Sequence, residues 1–173
     1  AQVLQNRRLA LPHQARMATG NRPAAQPDVV VRPAPDGQLL EQRKIRLAAF
    51  RWLAETTGFH DDVLPRTLLE AGFEFDGRRI TLIGPQGIWK PRLMDLPLSI
   101  TTTPGGPYED SFGPDGFLAY RYRGTNPAHP DNQGLRRAMQ EQQPLAYFHG
   151  IVPGKYLAVW PVYIVDDDQS RLT

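Results

Sequence analysis

PLAYFHGIVPGKYLAVWPVYIVDDD, residues 144–168, is the stretch that decides the fold class. Two runs rich in β-branched and aromatic residues flank Pro153-Gly154, so they read as two strands joined in a hairpin. Immediately upstream, NPAHPDNQGLRRAMQEQQ (126–143) predicts a turn and one helix from about Asn132, with Asp131 as its cap. FLAYRYRG (117–124) predicts another strand, with Phe117, Ala119, Arg121 and Arg123 on one face and Leu118, Tyr120 and Tyr122 on the other. GGPYEDSFGPDG (105–116) is a Gly/Pro/Asp loop. Before it, GIWKP (87–91) and LPLSITTT (96–103) are short extended runs.

The pattern changes further upstream. LLEQRKIRLAAFRWLAETT (39–57) places Ile45, Ala48, Ala49, Trp52 and Leu53 on one helical stripe, ended by Gly58. HDDVLPRTLLEAG (60–72) predicts a second, shorter helix with Pro65 near its first turn and Gly72 closing it. FEFDGRRITLIG (73–84) is two alternating strands around Asp76-Gly77, a dipeptide suited to a type I′ turn. Residues 1–38 hold five prolines and little periodicity, and predict an extended basic arm with a short VVV strand at 29–31.

The expected fold is therefore α+β: a small curved β-sheet or partial β-barrel with one inserted helix, preceded by two helices and a β-hairpin. The expected organisation is an arm at 1–38, a helical front at 39–84 and a β-rich recognition body at 85–173, the last two forming one compact domain.

Composition bounds the function classes. The chain has 173 residues, 40% hydrophobic and 22% charged, which is enough to build one core. It has no cysteine, which excludes disulfides, a thiol nucleophile and Cys-ligated zinc. No apolar run reaches the ~20 residues of a membrane span and no leader is legible, so a cytoplasmic chain without membrane contact is expected. The net charge of +2 is uneven: residues 1–33 carry five arginines, Arg7 and Arg8 among them, against Asp28. A basic arm on a near-neutral body is compatible with a nucleic-acid partner.

The four histidines (His13, His60, His129, His149) form no HExxH, zinc or HNH-nuclease pattern, and GxSxG, Walker A and the dinucleotide fingerprint are missing. The nearest thing to a phosphate loop is GPQG at 84–87, without the Lys-Ser/Thr that would come next. No catalysis, cofactor or metal is expected of this segment. Binding is the better lead, because basic and aromatic residues interleave at Trp89-Lys90, at Tyr120 to Arg123 and from His149 to Trp160. Aromatic faces stack on bases while Arg and Lys neutralise phosphate. On a strand Arg121 and Arg123 would share a face and straddle consecutive phosphates. His149 offers ring nitrogens to a base edge or phosphate, and Asp110 beside Tyr108 is a pair suited to reading an extruded pyrimidine.

GPQGIWKP, LPLSITTTP, PYEDSFGPDG, YRYRGTNPAHPDNQGLRRAM and YFHGIVPGKYLAVWPVYIVDDD, in this order, resemble the N-terminal region of a family of bacterial HNH-type restriction endonucleases. The similarity runs from about Ile45 to Thr173. It implies a sensor of modified DNA that directs a separate HNH nuclease domain in cis, absent from this sequence. A looser similarity links the order helix–PLAYFHG–GKYLAVWPVYIV, with Asn132, Leu135, Gly150, Tyr156 and Tyr163, to the SRA and PUA-like domains, which hold a flipped modified base. A sulfur-binding domain that reads phosphorothioate DNA is the related alternative.

The expected phosphate contacts are Lys90, Arg121, Arg123, Lys155, Arg7 and Arg8. The expected pocket draws on Trp89, Tyr108, Asp110, Phe112, Tyr120, Tyr147, His149, Tyr156 and Trp160. Methylated or hydroxymethylated cytosine or a phosphorothioate would be sensed by an apolar pocket, worth on the order of 1–3 kcal/mol. The alternative is a protein-interaction domain that positions a nuclease or forms its homodimer, supported by the Leu39–Thr57 helix with Trp52 and by the proline-rich arm.

Overall fold

In the computed structural model, residues 36–105, 111–112 and 116–173 are described. They form α1 (Asp36–Phe59), β1 (Val63–Pro65), α2 (Arg66–Ala71), β2 (Phe73–Phe75), β3 (Arg78–Ile80), β4 (Ile88–Trp89), β5 (Ser99–Thr102), β6 (Ser111–Phe112), β7 (Leu118–Ala119), α3 (Pro130–Gln140), β8 (Leu145–Val152) and β9 (Lys155–Val162). The class is α+β, as the sequence predicts. The central sheet runs β1-β9-β8-β5-β4 and is open, with β1 and β4 at its edges, so the described strands close no barrel. β8 and β9 pair antiparallel around Pro153-Gly154. β5 pairs parallel with β8, and the connection between them contains α3, because parallel neighbours need a crossover.

β8 reads as a continuous apolar run because both faces are covered. Ala146 and Phe148 join Ile45, Ala49 and Leu53 of α1 and Leu69 of α2 in one core. Leu145 and Tyr147 point the other way, into a second core with Leu135 and Ala138 of α3. The sheet is thus sandwiched between α1 on one side and α3 on the other. The first core also takes Phe73, Ile80 and Leu82 from the 39–84 segment together with Tyr156 and Ala158 from β9.

Several local expectations are corrected. α1 begins at Asp36, inside the stretch assigned to the arm, and passes Gly58 to end at Phe59. The 60–72 stretch splits: Val63–Pro65 pairs with β9 as an edge strand, and only Arg66–Ala71 is helical. Proline disfavours helical geometry in the residue before it, so Leu64 is extended and Pro65 falls before the helix. α3 is capped by His129, whose Nδ1 accepts the Asp131 N–H at 3.2 Å, and not by Asp131. Pro130 occupies the first turn, which moves the cap upstream. The Asp76-Gly77 hairpin forms as expected, with positive φ at both residues (47° and 69°).

The predicted strand at 117–124 is also cut short. Only Leu118–Ala119 pairs, with Ser111–Phe112. From Tyr120 onward the chain is irregular, so strand alternation does not set the facing of Arg121 and Arg123. Its backbone groups are taken by other partners: Tyr122 N–H by the Leu172 carbonyl at 2.8 Å, and Arg123 by Asn132.

One buried position of α1 holds a cation. Arg46 is 2% exposed, donates Nη1 to the Pro144 carbonyl at 2.8 Å, and has no partner for Nε or Nη2 among the described residues. Burial pushes its pKa down to about 10, with Glu141 pulling the other way. Keeping it charged at neutral pH costs on the order of 3 kcal/mol. Because the folded value lies below the unfolded one, the charge weakens the fold at every pH below about 10, and the penalty fades above that. Arg46→Met is therefore expected to leave stability unchanged or raise it by about 1–2 kcal/mol in urea unfolding at pH 7. Arg46→Ala, which also leaves a hole, is expected to lower it. A large loss in the Met variant would show that the guanidinium stabilises the fold.

Candidate functional site

The site is assembled where two irregular segments meet the β4 edge. Pro85, Gln86 and Gly87 lead into β4, and the Gly87 carbonyl accepts the Thr101 N–H at 2.7 Å, which ties this loop to β5. Tyr120 comes directly after β7, packs against the α3-side core, and donates its hydroxyl to the Thr101 carbonyl at 3.4 Å. The next residues bring Arg121 and Arg123 to the same place. Together Pro85, Gln86, Gly87, Ile88, Tyr120, Arg121 and Arg123 line a shallow cleft of about 200 Å³. Drug-sized ligands occupy roughly 300–1,000 Å³, so this volume suits a phosphate group or part of one nucleotide better than a large cofactor.

Both arginines are positioned from behind. Arg121 donates Nη1 to the Arg171 carbonyl at 3.0 Å. Arg123 forms an ion pair with Asp131 in the first turn of α3. Its backbone is clamped by Asn132, whose Oδ1 accepts the Arg123 N–H at 2.8 Å and whose Nδ2 donates to the Arg123 and Asn126 carbonyls at 3.0 and 2.9 Å. Between the arginines, Tyr122 turns inward. Its hydroxyl donates to Asp167 and accepts Arg136 Nη2 at 2.9 Å, while Arg136 Nε reaches Asp167 at 2.8 Å. Burial, then the bond to Asp167, pushes the Tyr122 hydroxyl above its ordinary pKa. The Asp167 bond holds the Arg136 guanidinium above its own. The two arginines of the cleft thus stand on a fixed base of α3 and residues 167–172.

A second polar group lies on the α3-side face of the sheet. Thr102 Oγ1, Tyr147 Oη and His149 Nδ1 form a triangle with sides of 3.0, 3.0 and 3.2 Å. Tyr147 is buried and His149 half-buried. The two hydroxyls orient the imidazole through its Nδ1 side.

The cleft gathers only part of the expected site, namely Tyr120, Arg121 and Arg123. Pro85, Gln86, Gly87 and Ile88 were not among the expected contacts, although GPQG was the signal that could have found them. Trp89 gives its indole N–H to the Thr81 carbonyl at 3.0 Å, and its ring lies against Gly84. Tyr156 is 2% exposed and its hydroxyl accepts Arg66 Nη1 at 3.2 Å. Trp160 packs against the α1-side core. Lys90 donates to the Met94 carbonyl at 3.3 Å, past the end of β4. Lys155 is exposed at the start of β9, about 14 Å across three strand spacings from β4. Arg7, Arg8, Tyr108, Asp110 and the Phe112 side chain lie outside the described residues.

Among the described residues no cluster of three or more His, Asp or Glu is placed to hold a metal ion, and no helix is long and apolar enough to cross a membrane. The chain matches no family model, no curated protein and no solved structure.

Proposed function

We propose that this chain is the DNA-binding specificity module of a modification-dependent restriction endonuclease, acting in the cytoplasm and without chemistry of its own. It reads methylated or hydroxymethylated cytosine, or a phosphorothioate, in duplex DNA and directs an HNH nuclease domain in cis. The observation that carries this reading is the small cleft in which Arg121 and Arg123 converge with Tyr120 on the Pro85–Gly87 loop. Two guanidiniums held by rigid neighbours are suited to phosphate oxygens, which they bind through forked donors. The phenol beside them supplies an aromatic face for a base or sugar. The resemblance of residues 45–173 to the restriction-enzyme family supports the partner class, and a curved, PUA-like recognition body is part of the same proposal.

A competition gel shift at two salt concentrations tests it, using duplexes that differ only in 5-methylcytosine, 5-hydroxymethylcytosine or phosphorothioate. One modified duplex is expected to win by roughly tenfold or more, about 1.4 kcal/mol. Arg121→Ala and Arg123→Ala are each expected to weaken all duplexes about tenfold and to flatten the salt dependence by about one phosphate contact. Equal binding to all four duplexes would reduce the module to a non-specific anchor. No binding at low salt would overturn the DNA reading.

A further inference from the structure

The face of α1 turned away from the sheet has a pattern that the core does not explain. Gln42, Ile45, Arg46, Ala49, Leu53 and Thr57 are buried, whereas Leu40, Lys44, Leu47, Arg51 and Ala54 succeed one another at intervals of four, three, four and three residues on the opposite side. The apolar members Leu40, Leu47 and Ala54 repeat every seven residues with Lys44 and Arg51 between them, a mixed apolar and cationic seam about 21 Å long. Leu40 and Leu47 are 54% and 64% exposed, one heptad apart. Between and beside them, the exposed side chains of Arg43, Lys44 and Arg51 make no ion pair or hydrogen bond among the described residues. Among the described side chains of α1 the acids do not balance them, since Glu41 is held by Arg78 and Glu55 alone is left on the exposed side.

We propose that this face of α1 docks an acidic amphipathic helix of a partner protein. Apolar knobs on the partner would pack on Leu40 and Leu47, and Asp or Glu would meet Lys44, Arg51 and Arg43. A second copy of the chain fits poorly, because pairing α1 with itself brings two such cationic rows together. Residues 1–33 have the wrong sign, with five arginines to one acid. The acids near the other end are already engaged on the α3 side, Asp167 by Arg136 and Tyr122 and Asp168 by Ser170. A DNA backbone would match the charge but leave both leucines in water. The face is also on the other side of the sheet from the arginine cleft, so this interaction stands independently of the DNA reading.

The test is fluorescence anisotropy with the full 173-residue chain and two helical peptides of about 21 residues, long enough to cover the seam. Both carry leucines at seam spacing; one has Glu and the other Lys at the intervening positions. The acidic peptide is expected to bind at least about tenfold more tightly than the basic one. Lys44→Glu with Arg51→Glu is expected to reverse that preference, and Leu47→Asp to abolish binding, with circular dichroism unchanged because these side chains are exposed. Absent binding of the acidic peptide, equal binding of both peptides, or an unchanged preference in the charge-reversed variant would overturn the proposal. So would a tenfold loss of duplex binding in that variant without a change in peptide binding, which would make the face a DNA contact.

Discussion

Gly72→Ala is expected to destabilise the domain by about 4 kcal/mol and to lower its melting temperature by roughly 10 °C. Gly72 closes α2, its N–H bonding to the Leu68 carbonyl at 3.0 Å. It holds φ 65° and ψ −151°, a region that side chains other than hydrogen rarely enter. A Cβ there would sit 2.0 Å from the Ile80 carbonyl oxygen, and this neighbour is backbone in a strand. The overlap can be relieved only by moving β3 away from α2. Ile80 is 1% exposed in the core, and the Leu82 N–H to Leu69 carbonyl bond of 3.0 Å lies just beyond it, so that movement breaks packing and a hydrogen bond together. Thermal unfolding monitored by circular dichroism checks it. A shift of only a degree or two would mean that α2 and β3 do not approach this closely.

Asn132→Ala is expected to cost about as much, on the order of 3–5 kcal/mol, and to impair the cleft as well. Asn132 is 1% exposed and satisfies three backbone groups of the 123–126 turn. The Asn126 carbonyl keeps the His129 N–H at 3.0 Å, but the Arg123 N–H and carbonyl lose their side-chain partner, at about 1–3 kcal/mol each. Removing the amide also frees the turn that presents Arg123. Two readouts should therefore move together: the urea midpoint, and duplex affinity measured where the variant is still folded, with a loss at least as large as that of Arg123→Ala. If the fold weakens while affinity is kept, the clamp is structural only and Arg123 is positioned by Asp131. If neither changes, the turn is held by other contacts.

These two predictions mark the boundary between what was legible in the chain and what was not. The β8–β9 hairpin, the β2–β3 hairpin and the apolar stripe of α1 are local. Each is set by alternation or helical spacing together with turn residues inside one short segment, so the sequence specifies them without reference to the rest of the molecule. The same locality explains why the α+β class was readable, and why GPQG could be noticed as a loop without its partners being known.

Tertiary structure decided what depends on segments far apart. β1 is a strand only because β9 offers it an edge, and Pro65 then restricts α2 to Arg66–Ala71. The 117–124 run alternates well enough for a strand, but past Ala119 its backbone bonds to Asn132 and Leu172 instead. Arg121 and Arg123 meet the Pro85–Gly87 loop for that reason, although more than 30 residues separate them in sequence. Trp89, Tyr156 and Trp160 look like stacking residues in the sequence, yet their environment gives them to an indole hydrogen bond, an Arg66 contact and the α1-side core. Residue type and local pattern determine which elements form. Burial and hydrogen-bond partners, which arise only when distant segments pack, determine which aromatic and basic side chains remain for a ligand.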